Sequence, residues 1–66
     1  MISIKKGDSV TFKWGIGIKC VTVVRGTTNM VHGYFYYRGN WGNLRASVQD
    51  IVNVYRPSEG WVIKNE

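Results

Sequence analysis

Val10-Thr11-Phe12-Lys13-Trp14-Gly15-Ile16-Gly17-Ile18-Lys19-Cys20-Val21-Thr22-Val23-Val24-Arg25 reads as strand, break and strand. Val10, Phe12 and Trp14 alternate with Thr11 and Lys13, the period of a half-buried strand whose apolar face includes Trp14. Gly15-Ile16-Gly17 interrupts the period. Ile18 to Arg25 is rich in β-branched residues, which suit a pleated surface. Cys20 stands in this apolar run and is expected there as a small buried hydrophobe rather than a nucleophile or metal ligand.

The same signals recur outward from this hairpin. Gly26-Thr27-Thr28-Asn29 is a turn. Val31 to Arg38 is a third strand and Leu44 to Val48 a fourth, joined by the loop Gly39-Asn40-Trp41-Gly42-Asn43. Gln49-Asp50-Ile51 is too short for an α-helix and fits one 3-10 turn, with Asp50 as its cap. Val52 to Arg56 is a fifth strand, stopped by Pro57. Ser58-Glu59-Gly60 turns, and Trp61-Val62-Ile63 adds a short sixth strand, with Trp61 a lid or an oligomer contact. Ile2 and Ile4 could extend the sheet at the other end, and Asp8 beside Gly7 reads as a turn residue. No segment has helical periodicity, so no helix longer than one or two turns is expected.

The chain has 66 residues, room for one domain and one small core. Five or six short strands must curl to bury one face, which predicts an all-β small barrel of antiparallel strands spanning residues 1–66. The order of elements resembles the SH3-like barrels, including Tudor, KOW and type II dihydrofolate reductase domains. Lys6-Gly7-Asp8-Ser9-Val10 matches the opening of their first strand. Ala46-Ser47-Val48-Gln49-Asp50-Ile51-Val52-Asn53-Val54 matches their strand, 3-10 turn and last strand. The reductases bind pterin and nicotinamide through a Val-Gln-Ile-Tyr run before the 3-10 turn. Leu44-Arg45-Ala46-Ser47 stands there instead, so the resemblance implies neither that activity nor a cofactor.

Net charge is +5 and the pI is near 9.7. From Ser9 to Gln49 there is no Asp or Glu, yet Lys13, Lys19, Arg25, Arg38 and Arg45 lie inside that stretch, while Asp8, Asp50, Glu59 and Glu66 sit at or near the ends. Within it, His32-Gly33-Tyr34-Phe35-Tyr36-Tyr37-Arg38 places His32, Tyr34, Tyr36 and Arg38 on one face and Val31, Gly33, Phe35 and Tyr37 on the other. The second set is more apolar and is expected inside, leaving a ladder of rings ending in a cation. A symmetric five-residue loop over Gly39–Asn43 would instead pair Tyr36 with Ala46, on the face of Leu44 and Val48. Trp41, in a polar Gly/Asn loop, is a stacking platform or folds back over the barrel mouth.

Cations beside flat rings suit a polyanion with stackable bases. The expectation is a non-catalytic DNA- or RNA-binding barrel of low sequence specificity, with phosphate contacts from Lys13, Lys19, Arg25, Arg38 and Arg45. Tyr34, Tyr36 and Trp41 stack on bases, beside His32. The alternative is a protein-interaction or self-assembling module, such as a phage or mobile-element accessory protein, docking through residues 34–43 as a homo-oligomer or onto another protein. An enzyme is poorly supported. One His, one Cys and four carboxylates stand at no catalytic spacing, and a hairpin turning near Thr28 would set Cys20 opposite Tyr36, away from His32. No apolar run approaches a membrane span and the N-terminus lacks a signal-peptide core, so a cytoplasmic protein without membrane or metal partners is expected.

Overall fold

The computed structural model describes residues 2–64. Its strands are β1 (Ser9–Trp14), β2 (Gly17–Arg25), β3 (Tyr34–Gly39), β4 (Gly42–Ser47), β5 (Ile51–Arg56) and β6 (Gly60–Lys64), with one 3-10 turn, Val48–Asp50, before β5. The protein is all-β, as its periodicity predicts, and no α-helix occurs among the described residues. All neighbouring strands are antiparallel, in the order β4-β3-β2-β1-β5-β6. β1 to β4 are consecutive hairpins, and β5 returns to pair with the free side of β1. The sheet does not close, so β4 and β6 are its edges.

Strong curling lets one face bury itself. β1 and β3 lie two strands apart, about 9.5 Å in a flat sheet. Their Phe12 and Phe35 rings are nevertheless 5.4 Å apart, edge to face. Register shifts at Thr11/Phe12, Val23/Arg25 and Val54/Tyr55 supply bends, since a bulge kinks its strand and increases the twist. Val10, Phe12, Val23, Phe35, Tyr37, Ala46, Val48 and Val54 fill the concave side, with Ile4 added from the N-terminal segment.

The faces of β3 fall as expected for Phe35 and Tyr37, which are buried, and for Tyr34 and Arg38, which are exposed. Several local expectations are corrected. β3 begins at Tyr34, so Val31 lies in the preceding loop and is exposed. The β3–β4 connection has two residues, Asn40 and Trp41, between paired Gly39 and Gly42. Phe35 therefore faces Ala46, and Leu44 faces Tyr37 on the inner side. The cap of the 3-10 turn is Ser47, whose Oγ accepts from the Gln49 N–H at 3.1 Å; Asp50 is its last residue. Cys20 is exposed, because Val10↔Val21 and Phe12↔Lys19 pairing sends Lys19, Val21 and Val23 inward and Cys20 outward. Trp14 keeps the inward parity but ends β1 where the curled sheet opens, and is 55% exposed. Ile2 is exposed, whereas Ile4 forms a two-bond bridge to Thr27, both N···O distances 2.9 Å. Gly26 permits this approach: a Cβ there would stand 1.8 Å from the Ile4 carbonyl oxygen.

Asp8 has more than a turn role. It is 1% exposed, and its carboxylate accepts from Arg56 Nε and Nη2, both at 2.9 Å, and from the Lys5 N–H at 3.0 Å. Arg56 Nη2 also donates to the Ser3 carbonyl at 2.8 Å. Burial pushes the Asp8 carboxyl up, but the Arg56 hydrogen bonds, the Lys5 N–H and the neighbouring positive charges outweigh it and hold the group below its ordinary 3.8. A carboxylate depressed in the folded state contributes stability above its unfolded pKa, lost as pH falls through the folded value. The urea midpoint should therefore stay level near neutrality and fall below about pH 4. Asp8→Ala strands a guanidinium against the fold and should cost roughly 3 kcal/mol at pH 7, with a flatter acid limb. Urea titrations of both proteins across pH check the sign and the size.

Candidate nucleic-acid interface

The outer face of the β2–β3–β4 half of the sheet gathers two tyrosine rings and three arginines. Alternation on β3 turns Tyr34, Tyr36 and Arg38 outward once Phe35 and Tyr37 enter the core. β4 sets Ser47, Arg45 and Asn43 opposite these three in turn. On the other side, the register shift after Val23 brings Arg25 opposite Tyr36. The Arg45 Cζ lies 4.6 Å from the Tyr34 ring centroid, and the Arg25 Cζ lies 6.0 Å from that of Tyr36. Such pairs are worth about 0.5–1 kcal/mol at exposed sites, enough to hold a guanidinium against a ring without neutralising it.

Among the described residues no acid pairs with the arginines of this face. Among the described residues both ion pairs belong to Arg56, with Asp8 and, at 3.4 Å, with Glu59. Asp50 is exposed in the 3-10 turn, and Glu66 lies outside the described residues. Arg25, Arg38 and Arg45 thus share a surface with two tyrosine rings.

The remaining residues singled out in the sequence lie elsewhere. Lys13 is exposed on the outer side of β1, opposite Ile18. Lys19 points inward at the open end, its Nζ 5.0 Å from the Trp14 ring centroid and 5.2 Å from that of Tyr37. His32 is exposed in the β2–β3 loop, where its backbone N–H donates to Asn29 Oδ1 at 2.9 Å. Trp41 is 100% exposed on its turn. One continuous surface thus takes Arg25, Tyr34, Tyr36, Arg38 and Arg45, while Lys13, Lys19, His32 and Trp41 are displaced from it. The separation of Lys19 from Lys13 follows from adjacent strand registers and could not be read from either strand alone.

A second cluster occupies the open end. Trp14, capped by Lys19, meets Tyr37 through that shared ammonium, and Leu44 is paired with Tyr37. Ile16 projects from the β1–β2 turn and Trp41 from the β3–β4 turn, both fully exposed. A third, smaller group is Tyr55 against Trp61 at 5.1 Å, with Lys64 Nζ 5.3 Å from the Trp61 centroid. Trp61 thus packs on its β5 neighbour and remains half-exposed.

Cys20 pairs with Thr11 rather than lying opposite Tyr36, because the β2–β3 register runs through Val23↔Tyr37. Among the described residues no three His, Cys, Asp or Glu side chains group to hold a metal ion, and no helix is long and apolar enough to cross a membrane. A cleft of about 340 Å³ lies beside Asp8 and Arg56, lined also by Lys5, Lys6, Pro57 and Glu59. Its best-placed polar groups are already joined in the Asp8–Arg56 pair. Comparison with protein-family models, with curated proteins and with solved structures finds no significant match.

Cys20 offers a check on the register. Its thiol should react with a disulfide reagent in native protein as fast as in urea, and Cys20→Ser should change stability by no more than about 0.5 kcal/mol. A thiol protected until unfolding would contradict the outward placement.

Proposed function

We propose that this protein is a non-catalytic nucleic-acid-binding domain of low sequence specificity. The observation that carries the reading is the outer face where Arg25 and Arg45 lie against Tyr36 and Tyr34, with Arg38 alongside and, among the described residues, no ion pair to any of the three. Arginine beside a ring joins the two interactions that a nucleotide offers, phosphate charge and base stacking. Backbone charge and stacking are largely indifferent to base identity, so affinity without strong sequence preference follows. Lys13, Lys19, His32 and Trp41 are peripheral to this surface, with Trp41 free to stack from its turn.

A second reading draws on the open end. Trp14, Ile16, Trp41 and Leu44 expose large apolar area at one end of a small protein. Such patches on soluble domains mark contacts with other proteins, and here the partner would be another protein or a second copy of this chain.

A binding titration with fluorescein-labelled oligonucleotides at several salt concentrations tests the first reading. Three arginines on one face should give a log–log salt slope of about −2 to −3. Arg38→Ala or Arg45→Ala should flatten the slope by about one contact, whereas Lys13→Ala should barely change it. Trp41→Ala should lower affinity by up to about 1–3 kcal/mol with the slope preserved. Absence of binding at low salt would sink the reading. A solution mass that rises with concentration and is lost in Trp41→Ser would then promote the interaction module.

A further inference from the structure

We propose that the ligand of the outer face is an extended single strand, lying along β3 and contacting it through about three unstacked nucleotides. The inference rests on the nucleic-acid reading and assigns the strand state and path that it leaves open.

The spacing carries the inference. Residues that share a face of a strand repeat about every 6.7 Å. Tyr34, Tyr36 and Arg38 occupy three successive such rungs. Bases within one strand of a duplex repeat at about 3.4 Å. Rings fixed at twice that interval cannot take successive bases that remain stacked on one another. They fit bases already drawn apart, as in an extended single strand. A duplex also presents only base edges and phosphates to the side of a sheet, because its base faces are covered by their neighbours. Tyr34, exposed, and Tyr36, half-buried, each have an arginine over the ring; a base stacks on the face left over, and a duplex, whose base faces are covered, has none to offer.

Charge follows the same line. β2 and β4 flank β3 on either side, and each supplies one arginine beside the ring track: Arg25 at Tyr36 and Arg45 at Tyr34. A nucleotide stacked at either ring has a guanidinium within a few ångströms of the same site. Arg38 adds a cation at the third rung, opposite Asn43. The three rungs span about 13 Å, within β3, and Trp41 lies in the turn just beyond its end. The surface is thus an aromatic floor one strand wide, with a cation on each side.

Thymidine and uridine homo-oligomers of about two to eight nucleotides, and a duplex of about eight base pairs, test this by fluorescence anisotropy at one low salt concentration. The homo-oligomers should bind about tenfold or more tighter than the duplex, with affinity levelling off near four nucleotides. Tyr34→Thr and Tyr36→Thr keep a β-former in place and should each reduce single-strand affinity about tenfold while leaving duplex affinity unchanged. Tyr36→Phe should retain single-strand binding, which separates loss of a ring from loss of the strand. Circular dichroism verifies the fold of each variant. Equal affinity for single strand and duplex, with both Thr variants neutral, would overturn the track and leave general nucleic-acid binding standing. No binding to any oligomer would remove both.

Discussion

The buried pair of Asp8 and Arg56 organises this molecule. It joins the turn after the N-terminal segment to the end of β5, residues 48 apart in sequence, and Arg56 also reaches the Ser3 carbonyl. The Asp8 backbone meanwhile exchanges hydrogen bonds with the β2 side: its carbonyl accepts from the Val23 N–H, and the Gly7 N–H donates to the Val23 carbonyl. One carboxylate thus ties the N-terminal turn and β5 together beside β2, where a domain of this size has little core to spare. The pair has a second consequence. It withdraws one of the few acids from the surface, while Glu59 also turns to Arg56. Among the described residues the arginines of β2, β3 and β4 form no ion pair.

Curling of the open sheet divides the rings into two populations. Phe12, Phe35 and Tyr37 converge on the concave side within 5.4 to 6.4 Å of one another. Tyr34 and Tyr36, on the same strand as two of these, are forced to the convex side. A flatter sheet could not bring β1 and β3 close enough to bury Phe12 against Phe35. The core and the candidate interface are therefore two faces of one strand, and the burial of one set dictates the display of the other. The bulge between Val23 and Arg25 completes the arrangement, because it restores Arg25 to the outer side beside Tyr36.

The apolar open end and the cationic outer face place different demands on a partner. Rings flanked by unpaired guanidinium groups favour an anion with flat faces. Exposed Trp, Ile and Leu at two hairpin tips favour an apolar surface. A small antiparallel sheet can serve either use, so the distinction lies in the side chains and not in the topology. Lys19 belongs to the open end, its stem directed inward and its ammonium resting on Trp14 and Tyr37.

The local sequence by itself determined the strands, the 3-10 turn before β5, the absence of helical periodicity, and the split of β3 into Phe35/Tyr37 and Tyr34/Tyr36. These depend on a two-residue period and on turn chemistry, both properties of neighbouring residues. The depletion of acids between Ser9 and Gln49 was equally plain, because charge needs no fold to be counted. Only the tertiary structure decided the rest. Whether Cys20 or Lys19 enters the core depends on β1–β2 register, which shifts every side chain to the opposite face with a one-residue slip. Whether Trp14 is covered depends on where the curled sheet stops. The ion pair of Asp8 and Arg56, and the approach of Arg25 to Tyr36, arise from pairings and bulges between distant segments, for which no local pattern exists.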